Sequence, residues 1–178
     1  MANNTYKKTF EPALLYGGIT GGVILLHSVI LYTMDATFSV YAQVAAYILP
    51  VAMITIVLYM YRKEYRGGVM SYSQGLGMGT LLMVVAGIIS AVYTYILIKY
   101  IDPDFVKVII QMQEDKMLAK GMDEATIEQA MSFTEKFKSP GFMAFSSFFG
   151  SVIMGVIISA IVSIFLKKEP KDPFAAVE

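Results

Sequence analysis

The stretch "YSQGLGMGTLL" has the outline of a phosphate-binding loop, because Gly75, Gly77 and Gly79 run into an apolar, helix-like segment. A dinucleotide-binding loop follows a buried strand and precedes an acidic residue for the ribose, whereas the basic segment "YRKEYRGGVMS" precedes this one. A P-loop needs Lys and then Ser or Thr after its last glycine, where this chain has Thr80 and Leu81. The pattern therefore favours glycines that serve helix packing.

His27 is the one histidine of the chain and lies in an apolar segment, where an ionisable side chain is a functional suspect by default. Steps of about 100° per residue place Tyr16 and Thr20 on the same side of a helix, which predicts a thin polar line facing a bundle interior. A proton relay would need an acidic partner at similar depth, and the apolar segments contain none. We expect a neutral imidazole, hydrogen-bonded to a hydroxyl or a backbone carbonyl; a titrating relay is the less favoured alternative.

Other chemistry has little support in the sequence. No Ser-His-Asp set, metal-ligand spacing or pair of carboxylates inside an apolar segment can be assembled. The chain has no cysteine, which excludes disulfides, thiolate metal sites and thiol nucleophiles. Its formal net charge is zero, so nothing favours a nucleic-acid partner. We expect no enzymatic activity, no cofactor and no metal site.

The composition is that of a protein of the lipid bilayer. Of the 178 residues, 56% are hydrophobic and 16% are charged, and the mean hydropathy is +0.60, far from a soluble average. Four segments lack Asp, Glu, Lys and Arg over about twenty residues or more, the length that a helix needs to cross the hydrocarbon layer. These spans are residues 13–34, 40–61, 73–98 and 142–166. We predict an all-α integral membrane protein with four transmembrane helices, forming a single membrane domain over residues 1–178.

The basic residues predict the orientation of these spans, since Lys and Arg near span ends are retained on the cytoplasmic side. They fall before span one, after span two and after span four: Lys7, Lys8, Arg62, Lys63, Arg66, Lys167, Lys168 and Lys171. All three groups lie on one side of a four-span bundle. We therefore expect a multi-pass membrane protein with both termini in the cytoplasm.

Small residues recur along spans three and four at spacings that let another helix backbone approach closely. In span three, Gly79 and Gly87 share one side of the helix. In span four, a small residue occupies every fourth position, at Ser147, Ser151, Gly155, Ser159 and Ser163. We predict that Gly79, Gly87, Ser151, Gly155 and Ser159 pack against neighbouring helices in a close-packed bundle. Loose association is the alternative, because small residues are common in membrane helices in general.

Tyrosines cluster near the ends of the predicted spans. Their rings are apolar in body and polar at the tip, which suits the headgroup region of a bilayer. We interpret seven of them as interfacial anchors rather than as a cofactor-binding set: Tyr16, Tyr32, Tyr41, Tyr59, Tyr61, Tyr72 and Tyr100.

The connection between spans three and four has helix signals and is not loop-like. Asp102 is a possible N-cap, Pro103 suits the first helical position, and Gly121 suits a C-terminal stop. A second helix is predicted from Glu124 to about Phe137. The two predict an extramembrane helical hairpin over residues 102–138, on the periplasmic side.

Three stretches, in this order and flanked by these spans, carry a resemblance to a known family. They are "RGGVMSYSQGLGMGTL", "YTYILIKYIDPDF" and "GMDEATIEQAMSFTEKFKSPG". Together they resemble the bacterial integral membrane family labelled domain of unknown function 4199, over nearly the whole chain from span one to span four. The resemblance implies four spans and an inner-membrane location. It supplies no catalytic or ligand residues.

Two classes of function are compatible with the sequence. The first is an accessory or scaffold protein, with its spans in the lipid bilayer, whose outer hairpin and small-residue grooves bind a membrane-protein partner or a second copy of the chain. The second is a small transporter or channel subunit. Transport paths usually expose charged or broken-helix groups at the midplane of the membrane, and these spans have few. The first class is therefore favoured.

Overall fold

The computed structural model describes residues 2–168, with the side chains of residues 2–8, 133, 135 and 136 outside that description. Six α-helices occupy the described chain: α1 (Ala2–Thr33), α2 (Val40–Met60), α3 (Tyr72–Ile96), α4 (Phe105–Ala119), α5 (Glu124–Lys136) and α6 (Pro140–Leu166). A π-helical turn continues α2 over Tyr61–Tyr65 and another continues α3 over Leu97–Ile101. The described residues form no strand, and one isolated antiparallel bridge joins Met70 to Lys168.

Four of the helices are long and apolar enough to cross a membrane: Thr9–Thr33, Val40–Tyr65, Tyr72–Ile101 and Pro140–Leu166. They contain 25 to 30 residues, with hydropathies of 1.8 to 2.5, and so exceed the ~20 residues that a bilayer crossing needs. The prediction of four apolar helices is therefore confirmed, with bounds that differ by a few residues.

Most of the span surface faces outward from the protein. In an 18-residue apolar stretch of each span, only 22% to 33% of the residues are buried inside the protein, so the apolar side chains mostly lie on the exterior. Leu26 is 64% exposed and Ile161 is 54% exposed. Hydrocarbon solvates such side chains, which makes this exterior suited to a multi-pass membrane protein.

Local signals explain where several helices begin. The Ser39 hydroxyl accepts from the Ala42 N–H at 3.1 Å and caps α2. At the start of α3 the Ser71 N–H donates to Gln74 Oε1 at 3.0 Å, and the Gln74 N–H donates back to Ser71 Oγ at 3.4 Å. This reciprocal pair is a capping box, which satisfies two backbone donors that would otherwise lack partners.

The start of α4 differs from the prediction. The Asp102 N–H donates to the Leu97 carbonyl at 2.7 Å and ends the π-helical turn that extends α3, while its carboxylate accepts from the Asp104 N–H at 3.2 Å, as an N-cap does. Pro103 and Asp104 then form a turn, and α4 begins at Phe105. The stop at Gly121 was predicted correctly: its φ of +72° is a left-handed conformation that glycine adopts readily.

The contacts divide the chain into two compact units, residues 2–89 with 149–168 and residues 90–148. α3 and α6 contribute residues to both. The first unit has a core of fully buried side chains from α2 and α3, among them Ile54, Leu58, Met78 and Leu82. The assignment of residues 1–178 to a single membrane domain stays a prediction.

In the second unit, α4 and α5 contact each other. One apolar residue of each is nearly inaccessible: Val106 is 7% exposed and Ile127 is 5% exposed. The turn at Gly121 separates the two helices.

Candidate functional site

α3 and α6 approach each other through glycine and serine in the first unit. A Cβ atom added to Gly79 would overlap the Ser159 hydroxyl and lie 2.7 Å from Ser159 Cβ. One added to Gly75 would lie 2.5 Å from Ser163 Oγ. Real Cβ atoms essentially never come within 3.0 Å of such neighbours. The contact therefore requires glycine at positions 75 and 79.

Gly155 extends the same contact from the side of α6, because a Cβ atom there would overlap Met83 Cβ and lie 2.7 Å from Met83 Cγ. Of the other predicted packing residues, Gly87 is buried and Ser151 is half-buried. We call the contact the α3–α6 seam and define it by Gly75, Gly79, Gly155, Ser159 and Ser163.

A second close approach joins α1 to α3. A Cβ atom on Gly17 would lie 2.7 Å from Val85 Cβ, and one on Gly21 would lie 3.0 Å from Ala86 Cα. Gly18 and Gly22, one residue further along, have no such neighbour within 4 Å. Only one of the two glycine pairs of α1 therefore serves this contact.

Several polar atoms inside the first unit lack a hydrogen-bond partner. Thr20, Ser159 and Ser163 have no exposed surface, and their hydroxyl oxygens bond to nothing in the described chain; His27 Nε2 is likewise buried and unpartnered. Buried polar groups are usually paired, since an unmade hydrogen bond costs about 1–3 kcal/mol. These unpartnered polar atoms are therefore candidate functional groups inside the spans.

The predicted polar line of α1 does not act as one network. The Tyr16 hydroxyl donates to Glu64 Oε2 at 3.1 Å, whereas Thr20 Oγ1 has no partner. The His27 ring lies 6.0 Å from the Tyr41 ring, centroid to centroid. The hydrogen bond expected for the imidazole is thus not made at Nε2. The acidic partner that the structure supplies, Glu64, comes from the turn after α2 and serves Tyr16.

Three tyrosines meet where α1 contacts the π-helical turn after α2, and we call Tyr16, Tyr61 and Tyr65 the tyrosine cluster. Tyr61 and Tyr65 stack with ring centroids 6.1 Å apart, and Tyr16 meets Tyr65 edge-on at 6.4 Å. Tyr61 has no exposed surface. Its hydroxyl lies 2.9 Å from Thr9 Oγ1 and accepts from Arg66 Nε at 2.9 Å. The prediction that Tyr61 is an interfacial anchor is therefore wrong, because this ring belongs to the core.

The end of α6 is tied to the chain that follows α2. Arg62 Nη1 donates to the Leu166 carbonyl at 2.9 Å. The backbones of Met70 and Lys168 exchange two hydrogen bonds, of 3.0 and 2.9 Å. These contacts bring the basic residues after α2 and those after α6 to one place.

In the second unit, Lys99 is held by two tyrosines. Its Nζ donates to the Tyr95 hydroxyl at 2.7 Å and lies 5.3 Å from the centroid of the Tyr100 ring. Thr94 Oγ1 also donates to Ser147 Oγ, at a long 3.4 Å. A lysine flanked by tyrosines at a span end is typical of the bilayer interface.

The second unit also has a groove between α4 and α5. It is lined by apolar and acidic side chains: Ile110, Glu114, Leu118, Glu124, Ile127, Glu128, Met131 and Ser132. We call it the α4–α5 groove. Within the described residues, no group of three His, Cys, Asp or Glu side chains is arranged to hold a metal ion.

Comparison with known proteins gives one match. The family model described as Protein of unknown function (DUF4199) matches residues 15–168, which is most of the chain. The chain belongs to the DUF4199 family. No curated protein and no solved structure matches it.

The match confirms the resemblance that the motifs carry. The matched DUF4199 residues include the whole α3–α6 seam, the tyrosine cluster and the α4–α5 groove. The family description names no activity, so the functional argument depends on the geometry of these three features.

Proposed function

We propose that this DUF4199 protein is a non-enzymatic accessory or scaffold protein of the bacterial inner membrane, which binds a membrane-protein partner or a second copy of itself. The observation that carries the proposal is the α4–α5 groove. It presents apolar side chains outside the four apolar helices, where lipid does not solvate them.

The groove belongs to an extramembrane helical hairpin in this proposal. α4 and α5 lie between the third and fourth apolar helices and contact each other. Large apolar side chains stay exposed on α4 and on the turn that follows it, with Val108 41%, Leu118 52% and Met122 37% exposed. Removing apolar surface from water contributes about 25 cal/mol per Å², so a partner that covers these groups stabilises the complex.

The orientation in the membrane rests on the basic residues. Those after α2 and α6 gather at one end of the first unit, and Lys and Arg are retained on the cytoplasmic side of a membrane. This supports our proposal that both termini lie in the cytoplasm and the hairpin in the periplasm. Two parts of this argument lie outside the described residues, namely Lys171 and the side chains of Lys7 and Lys8.

A transporter or channel subunit is the second candidate, and the unpartnered Thr20, His27, Ser159 and Ser163 atoms favour it. The geometry at Ser159 and Ser163 argues against a path there, because both hydroxyls pack directly on glycine backbone. A continuous polar lumen lined by His27 in a solved oligomer would favour transport over the scaffold.

A copurification experiment tests the scaffold. A tagged copy is isolated in mild detergent from its own membranes, together with a second copy carrying a different tag, and the proteins that copurify with it are compared between variants. Leu118→Asn polarises the groove, whereas Lys116→Gln changes an exposed residue of the same helix. We expect the partner or the second copy to be lost with Leu118→Asn and kept with Lys116→Gln. Equal recovery from both variants and the parent would exclude the groove as the binding surface.

A further inference from the structure

Five cationic side chains converge at one end of the first unit, and we call them the basic patch: Arg62, Lys63, Arg66, Lys167 and Lys168. Two contacts bring them together: the Arg62 side chain donates to the Leu166 carbonyl, and the Lys168 backbone pairs with that of Met70. The cations after α2 and those after α6 are about a hundred residues apart in the sequence.

Among the described residues, nothing neutralises the charge of the basic patch. None of the five forms an ion pair in the described part of the chain. The ion pair in that part joins Lys107 to Asp104, in the second unit. The two described carboxylates of this end, Glu11 and Glu64, are exposed. Glu64 accepts from the Tyr16 hydroxyl. Counted over the described residues, five cations against two carboxylates leave a positive surface that attracts an anion.

Two members of the patch are arginines that the protein holds by hydrogen bonds and ring contacts. Arg62 and Arg66 are both half-buried, and each uses one guanidinium nitrogen, on the Leu166 carbonyl and the Tyr61 hydroxyl. Each guanidinium carbon also lies over an aromatic ring, Arg62 Cζ 5.4 Å from the Tyr59 centroid and Arg66 Cζ 5.5 Å from the Tyr61 centroid. The other N–H donors of the two forks stay available, and such forks match phosphate oxygens.

We propose that the basic patch binds the phosphate of anionic phospholipid headgroups. The patch lies where two apolar helices end, because Arg62 follows α2 and Lys167 follows α6. Exposed rings adjoin it, with Tyr59 49% and Phe165 79% exposed, and these would contact the upper acyl chain. A free phosphate ion would use the cations but not the rings, so the combination fits a lipid.

The experiment titrates phosphatidylglycerol into the purified full chain in dodecyl maltoside micelles. Bound lipid is counted by native mass spectrometry, and the apparent Kd is compared with that for phosphatidylcholine. The double variant Lys167→Gln, Lys168→Gln removes two charges of the patch. It keeps the hydrogen bonds between Met70 and Lys168, because these join backbone atoms only. Lys116→Gln with Lys120→Gln removes two exposed charges from the second unit as the matched control.

We expect phosphatidylglycerol to bind more tightly than phosphatidylcholine, and its Kd to rise about fivefold for each basic residue removed from the patch. The control pair should bind as the parent does, and 0.3 M NaCl, about twice the physiological ionic strength, should weaken the parent. Equal losses in both pairs, or none in either, would overturn the proposal. So would inorganic phosphate at the same concentration displacing the lipid, since the site would then take a free ion.

Discussion

Gly79 of α3 and Ser159 of α6 lie in direct contact, so that no side chain fits at position 79. A Cβ atom there would overlap the serine hydroxyl and lie 2.7 Å from the serine Cβ. Ser159 itself has no exposed surface. Because lipid provides no hydrophobic drive between helices, close packing of this kind must hold the helices together.

The first prediction is that Gly79→Ala destabilises the protein by about 1–3 kcal/mol through overpacking. Thermal aggregation in detergent measures the loss. Gly77→Ala is the matched control on the same helix, since a Cβ atom at position 77 has no neighbour within 4 Å. Equal melting of the two variants would contradict the contact.

Adding Ser159→Gly to Gly79→Ala should restore most of the lost stability, because it removes both atoms that the new methyl group meets. Ser159→Ala should restore less, since its Cβ atom stays 2.7 Å from the added one. If the two second changes rescue equally, the clash is with the hydroxyl alone.

The second prediction concerns Gly155, on the other side of the α3–α6 seam. Gly155→Leu should cost about 1–3 kcal/mol, because the new side chain must displace Met83. Ile157→Leu conserves volume at a position that is 50% exposed and should be nearly silent. Detergent melting of both beside the parent is the measurement. If Gly155→Leu melts at the same temperature as the parent, the close-packed model of this bundle is wrong.

Much of the fold was predictable because span length and hydropathy are properties of the sequence itself. The start of α4 was predictable only in part: the Asp102 carboxylate accepts from the Asp104 N–H as the signal indicates, but the Asp102 N–H bonds back to Leu97 and the helix begins only at Phe105. Asp followed by Pro carries the same helix-start signal whether or not that bond forms. A boundary of this kind depends on how far the preceding helix continues.

The α3–α6 seam was predicted in part, because glycine and serine at every fourth position are typical of close helix contacts. Spacing could not tell which glycine pair of α1 meets α3, and the structure selects Gly17 and Gly21. The burial of Tyr61 was also missed. Its hydroxyl partner Thr9 is 52 residues away in sequence, so no local pattern separates this tyrosine from a true interfacial anchor.

The third prediction is that the His27 side chain has a structural role. His27→Asn keeps hydrogen-bonding capacity and removes titration, and should leave expression and oligomeric state nearly unchanged. His27→Leu should cost at most about 1–2 kcal/mol, because Nε2 has no partner to lose in the described chain. Size-exclusion chromatography and melting at pH 6 and pH 8 check both. A pH-dependent phenotype that His27→Asn abolishes would show that the imidazole titrates in function.

The fourth prediction concerns topology. Cysteine introduced at Ser132, an exposed position of α5, should react in intact cells with a membrane-impermeant thiol reagent admitted through the outer membrane. Cysteine at Ala175, which lies outside the described residues, should not react. The natural chain has no cysteine, so the introduced residue is the one thiol of this protein that can react. Labelling at Ala175 with none at Ser132 would invert the proposed orientation.

The fifth prediction concerns the pH dependence of α5, which Asp123 caps. Its carboxylate accepts from the Thr126 hydroxyl at 2.7 Å and from the Thr126 N–H at 2.9 Å. These hydrogen bonds lower the pKa of Asp123 below its ordinary value of 3.8. A carboxyl group whose pKa is lowered by folding stabilises the folded state above its unfolded pKa. That contribution is lost as the pH falls through the folded pKa.

The Thr126 amide should therefore lose protection from hydrogen exchange as the pH falls below 3.8, after correction for the intrinsic exchange rate. Asp123→Asn keeps an acceptor oxygen and cannot titrate, so its protection should stay constant over the same range. Asp123→Ala has no acceptor and should be weakly protected at every pH. If Asp123→Asn loses protection in acid as the parent does, the pH dependence arises elsewhere in the second unit and not from this cap.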